Sequence, residues 1–171
     1  MPMLTTDRLT PERAPTSSVV GVAANTTIYA GALVALDTTS GFAVPASDAS
    51  NRVILGVAAK RAVNNTASNG ARAVEVLYGR AFKFNASGTI NSTHIGRVAY
   101  CVDDNTVSVT LTTNRVKVGK IVAVDPDGVW VYIPYPGVPL GAPSSTIDAT
   151  YDASESGVLS TLRDQHNNYD I

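Results

Sequence analysis

"KIVAVDPDGVWVYI", residues 120–133, sets two apolar runs on either side of Asp125-Pro126-Asp127-Gly128, and the reading of that centre decides the class of the whole chain. Two carboxylates one residue apart before a glycine suggest a cation loop or a turn. A helix-loop-helix calcium site needs oxygen ligands spaced over about twelve residues and closed by a bidentate Glu. Here no acidic residue follows Asp127 until Asp148. A turn needs only what is present: Pro126 presets φ for a type I turn, Asp127 accepts the next position, and Gly128 is expected to take a left-handed conformation. The stretch reads as a β-hairpin, with Trp130, flanked by Val129 and Val131, expected in the core.

Working outward, the same texture recurs. The runs VVGVAA (19–24), TIYAGALVAL (27–36), FAVPA (42–46) and RVILGVAA (52–59) are each expected as a strand, separated by turn clusters such as DTTSG. ARAVEVLYGRAFKF (71–84) sets Ala73, Glu75 and Leu77 against Val74, Val76 and Tyr78, the period of two of a pleated strand, with Gly79 at a bulge or bend. Asn64–Asn69 reads as a polar loop. VAYCV, the turn Asp103-Asp104-Asn105 and TVSVTLT precede the hairpin. Leu, Glu, Lys and Gln, the usual helix fillers, are scarce beside Ala, Val, Thr, Ser, Gly and Asn. The Gly-Val-Ala-Ala tetrapeptide at 21–24 and 56–59 is too short to establish a repeat. The fold class expected is all-β: a compact β-barrel or β-sandwich over residues 19–133, with extended N- and C-terminal arms.

The arms differ in composition. Residues 1–18 carry Pro2, Pro11 and Pro15 with only Leu4 and Leu9 as apolar anchors. Residues 134–171 open with PYPGVPLGAPSS, through which no sheet continues, and end in a polar tail. There Val158, Leu159 and Leu162 fit one amphipathic helical turn that needs a partner surface. Both arms are expected to become ordered against neighbours in an assembly. Tyr132 and Tyr135 flank Pro134 as an aromatic-proline patch, which reads either as a solvated strand end or as an intersubunit contact.

Candidate chemistry is sparse. Thirteen Lys and Arg against fourteen Asp and Glu give a net charge of -1 and no basic field for nucleic acid. No stretch approaches a membrane span or the apolar core of a signal peptide, so a soluble chain made in a cytoplasm is expected. A nucleophilic triad needs Ser or Cys, His and a carboxylate in mutual reach. His94 lies in the loop-like NSTHIG, His166 in a polar tail that cannot preorganise a base, and Cys101 mid-strand, where a free cysteine is usually a small buried hydrophobe. No phosphate-binding glycine motif, HExxH or CxxC occurs. No cofactor, metal site or enzyme activity is expected. The sequons at Asn25, Asn64, Asn85 and Asn91 are those that an Asn-, Ser- and Thr-rich chain produces by chance.

In order, "IYAGALVALDTTSGFAVPA", "RVILGVAAKRAVNN", "GRAFKF", "IGRVAYCVDDNTV" and "VGKIVAVDPDGVWVYI" resemble the capsid cement, or head decoration, proteins of tailed bacteriophages, over residues 19–133. The resemblance implies a β domain on the exterior of an icosahedral virion shell, made in the host bacterial cytoplasm. It further implies a homo-oligomer, commonly a trimer at threefold positions, bridging subunits of the major capsid protein. On that expectation Leu4, Leu9, Tyr132, Tyr135, Val158, Leu159 and Leu162 are the candidate partner contacts. The long tail departs from the shortest family members. Two other classes remain: a β-barrel module for a glycan or host-surface ligand, which wants exposed aromatics in a groove, and a cell-wall hydrolase, which wants two carboxylates across a cleft.

Overall fold

The structure, a computed structural model, describes residues 16–136, which form twelve strands and a single 3-10 turn at Ser92–His94. The all-β class is observed. The strands are β1 (Ser17–Gly21), β2 (Thr26–Ile28), β3 (Leu33–Asp37), β4 (Ala43–Pro45), β5 (Arg52–Ala58), β6 (Ala62–Asn64), β7 (Ala73–Leu77), β8 (Arg80–Ala86), β9 (Val98–Cys101), β10 (Thr106–Ser108), β11 (Lys117–Asp125) and β12 (Gly128–Ile133). β1 begins at Ser17, inside the stretch read as an arm. The run TIYAGALVAL is not one strand. Gly31, at φ 80°, turns the chain between β2 and β3. β6, absent from the sequence reading, ends at Asn64 and pairs with β2.

Two sheets share the work. β8 to β12 close a five-stranded barrel in the order β10-β8-β12-β11-β9, with β9 pairing back to β10 and only the β10–β8 contact parallel. β1, β7, β5, β3 and β4 form an antiparallel sheet in that order, and a parallel bridge between Val22 and Ala43 brings its two edges together. One face of this curled sheet, with the two-stranded β2–β6 sheet, encloses Val22, Ile28, Val34, Leu55, Val74 and Val76. The opposite face of β3 and β5 sends Leu33, Ala35, Ile54 and Val57 into the core that fills the barrel, beside Phe84, Ile121 and Val131. The alternation expected for residues 73–78 is present: Val74, Val76 and Tyr78 are buried, while Ala73 and Glu75 are exposed.

β5 therefore has cores on both faces, and Ile54 through Ala58 are all buried. The register with β3 passes from Val34↔Gly56 to Ala35↔Ile54, leaving Leu55 as the extra residue of a β-bulge. The bulge depends on Gly56, at φ 146°, where a Cβ would stand 2.2 Å from the carbonyl oxygen of Leu77. Backbone strain and a backbone clash coincide there.

Polar satisfaction is as specific. The wholly buried Asn64 side chain donates from Nδ2 to the carbonyls of Val22 and Ala23 (3.0 Å each) and Ser68 (2.9 Å), while its Oδ1 accepts from the Thr66 hydroxyl at 2.7 Å. A residue read as loop polarity is the knot that ties the 64–69 segment to the end of β1.

Two stability outcomes are expected. Gly56→Ala loses at least about 3 kcal/mol, because the backbone of β7 must move or the bulge must be abandoned. Asn64→Ala loses about 1–3 kcal/mol, the cost of buried carbonyls left without donors. Urea unfolding of each variant checks both. A Gly56→Ala midpoint equal to wild type would mean the bulge carries no strain.

Candidate functional site

Beside the separate ion pairs Asp37–Arg52 and Asp48–Arg115, the fold gathers a cluster of charged and aromatic side chains at the β11–β12 turn. Pro126 and Asp127 form the two-residue connection, with Asp125 directly opposite Gly128. The turn reading of this stretch holds, but the role assigned to Gly128 does not. Gly128 is not in the left-handed region; it opens β12 and is buried against β8. Its missing side chain matters because a Cβ would meet the Phe84 carbonyl oxygen at 2.9 Å and Lys83 Cε at 3.0 Å. Close strand approach, rather than φ, excludes a side chain.

Trp130 also departs from expectation. Val129, Val131 and Ile133 point into the barrel, so Trp130 and Tyr132 lie on its outer surface. The indole is half-buried: Nε1 donates to Asp125 Oδ2 at 2.8 Å, and Lys83 Nζ sits 5.8 Å from the ring centroid. Lys83 enters from β8, where it pairs with Trp130 across the strands. Its ammonium contacts Asp125 at 3.2 Å and lies still closer to Asp127. Sequence spacing brought out the two carboxylates but had no means of showing their cation, forty-odd residues upstream.

Electrostatics follow the geometry. The Lys83 ammonium holds Asp127 below the usual carboxylate range, and the Trp130 N–H, followed by Lys83, does the same for Asp125. Lys83 is pushed up, chiefly by its bond to Asp127. Both carboxylates share the Lys83 ammonium, and Asp125 also accepts from the indole N–H, so neither is poised to take a proton near neutrality. The cluster is a clasp between β8 and the β11–β12 turn. A shallow open pocket of about 400 Å³ beside it is lined by Asn85, Ile90, Asp125, Asp127 and Val129.

The other singled-out residues that are described are packed or hydrogen-bonded into the fold. Cys101 is fully buried in the barrel, and burial, with Asp103 second, pushes its thiol up to about 12, far from nucleophilic. His94 closes a capping box: its Nδ1 accepts from the Asn91 N–H at 3.2 Å, and Asn91 Oδ1 accepts from the Thr93 N–H at 3.0 Å. Asp103 Oδ1 accepts from the Asn105 N–H at 2.9 Å, which makes that acidic pair a turn. Among the described residues no three His, Cys, Asp or Glu side chains group as metal ligands would.

Of the expected partner contacts, Tyr132 is 42% and Tyr135 49% exposed. Their described partners differ. Tyr132 stands on the barrel wall between Lys120 and Ala81, whereas Tyr135 lies edge-on to Tyr78, ring centroids 5.4 Å apart. Tyr78 also receives the start of the described chain: its N–H donates to Thr16 O at 3.2 Å and its hydroxyl to Ser17 O at 2.9 Å. Leu4, Leu9, Val158, Leu159, Leu162 and His166 lie outside the described residues.

Comparison with known proteins leaves the chain by itself: no family model, curated protein or solved structure matches it.

The clasp predicts a pH response. Groups with depressed folded values contribute stability above the ordinary carboxylate range and lose it as pH falls through those lower folded values. Replacing Trp130 with Phe is expected to raise the Asp125 midpoint and to leave Asp127 depressed, since Lys83 remains. A carboxyl-carbon NMR titration reads both sites. Equal movement of the two, or none, would show that the indole N–H does not set Asp125.

Proposed function

We propose that this chain is a structural virion protein that binds the exterior of an icosahedral phage capsid and stabilises the shell by bridging major capsid subunits. The observation that carries the reading is the corner at Tyr78, where the first described residues and the last converge on one side chain. Two extensions that begin at one corner of a rigid β body can engage the same partner surface. The second contact then benefits from the effective concentration set by the first. The sequence resemblance points the same way, and a clamp has no transition state to stabilise, so its residues serve buried area rather than proton transfer. On this reading the chain is not an enzyme, needs no cofactor, and works as a homo-oligomer, most simply a trimer at threefold positions.

One observation favours the second reading, a binding module for a glycan or host-surface ligand: Trp130 and Tyr132 lie outward on one strand. Against it, the indole N–H is committed to Asp125 and the ring faces Lys83, so the surface offered to a sugar is small.

Co-sedimentation of the purified chain with expanded shells assembled from a major capsid protein tests the proposal. Saturable binding in fixed ratio to shell subunits, with a rise in shell melting temperature, is expected. Failure to bind shells overturns it. Glycan-array binding that Trp130→Ala abolishes would install the module in its place.

A further inference from the structure

Charge is unevenly divided along the chain. Residues 16–136 hold ten Lys and Arg against seven Asp and Glu, whereas residues 137–171 hold five acidic residues against Arg163 alone. The near-neutral total conceals a cationic body and an anionic tail.

Of the body's cations outside an ion pair, two stand on one strand of the barrel. On β11, Lys117 and Lys120 are exposed, and neither has an ion-pair partner among the described residues. Lys120 is flanked across the strands by Tyr132 on β12 and Val98 on β9, and Lys117 pairs with Tyr100. A bulge between Ile121 and Ala123 sets Val122 out to solvent, 46% exposed. Two unpaired ammonium groups thus stand among aromatic and aliphatic side chains on an open barrel wall. Lys83, one strand beyond β12, is already claimed by Asp125 and Asp127. An anionic ligand meets Lys117 and Lys120 instead. Such a wall fits a peptide with acidic residues interleaved with a few aliphatic ones.

The tail has that composition: Asp148, Asp152 and Glu155 precede Val158, Leu159 and Leu162, with Asp164 and Asp170 beyond. We propose that the outward wall of the barrel at Lys117, Lys120 and Tyr132 is the docking surface for residues 148–170 of a second copy of this chain. The second copy follows from sequence between wall and tail. Pro134, Pro136, Pro139 and Pro143 separate β12 from the acidic segment, and proline-rich spacers resist an immediate return to the strand just left. Each copy offers one wall and donates one tail, the head-to-tail pairing that builds rings or open chains. This inference is independent of what the assembly coats.

The test uses the full-length chain. Equal amounts of isotopically light and heavy protein are mixed, treated with a zero-length carbodiimide, and digested for mass spectrometry. Mixed-isotope peptides joining Lys117 or Lys120 to Asp148, Asp152 or Glu155 are expected. Their yield should fall several-fold between about 0.1 M and about 1 M salt, as the screening length contracts from about 10 Å to about 3 Å. In sedimentation velocity, Lys117→Glu with Lys120→Glu should dissociate the oligomer while circular dichroism stays unchanged. Adding Asp148→Lys, Asp152→Lys and Glu155→Lys to the same chain should restore association. Links only within one isotope, links from these acids to other surfaces, or association indifferent to the lysine reversal would each overturn the proposal.

Discussion

The described body is organised around β5, whose residues Ile54–Ala58 have no solvent face. β5 separates two apolar cores: Ile54 and Val57 belong to the barrel side, Leu55 and Ala58 to the curled sheet. A strand buried on both sides cannot slip by one residue, because each slip exchanges the sets of side chains offered to two differently shaped cavities. The bulge at Leu55 and the bare backbone of Gly56 fix the register, since they let β7 approach to a distance that any side chain would forbid. The curled sheet and the barrel are thereby placed against one shared element, and β3 repeats the arrangement with Leu33 and Ala35 on one side and Val34 on the other.

From that placement the surroundings of Tyr78 follow. The residue comes just after β7, where the chain bends at Gly79, whose N–H donates to Ile133 O at 2.8 Å. The end of β7 in the sheet and the end of β12 in the barrel are pinned together at this bend. A buried tyrosine ring with its hydroxyl satisfied by Ser17 O is well suited to such a junction, because it adds apolar area and a directed bond at once. The position where both extensions begin is thus a product of core packing.

The all-β class was legible because alternation and turn chemistry act locally, and residues 73–78 show the pattern that two-faced strands must show. The turn at Asp125-Pro126-Asp127-Gly128 was legible for the same reason. What failed was whatever depended on the partner strand. Trp130 reads as core when size alone is considered, yet its parity with Tyr132 against Val129, Val131 and Ile133 assigns it to the outer wall. Gly128 reads as left-handed when the turn is considered alone, but β8 supplies the reason for its glycine. β6 is too short for periodicity to reveal, and Asn64 looks like any loop asparagine until Val22, Ala23 and Ser68 surround it. The candidate site followed the same division: its acids lie close in sequence, while Lys83 arrives through strand pairing.

A soluble β surface must avoid associating at random, and the barrel wall shows how exposed aromatics coexist with that demand. Trp130 is covered by Lys83 and fixed by Asp125, which removes a large sticky face from solvent. Tyr132 keeps its exposure but has Lys120 beside it, and a charge within an apolar patch discourages contact with an identical patch while leaving it open to an anionic one. Cations in the body and acids in the tail extend that logic to the whole chain. Two bodies meeting wall to wall repel, and two tails repel, so only wall-to-tail contact is electrostatically favourable. With one wall and one tail per copy, such contact leads to defined rings or chains.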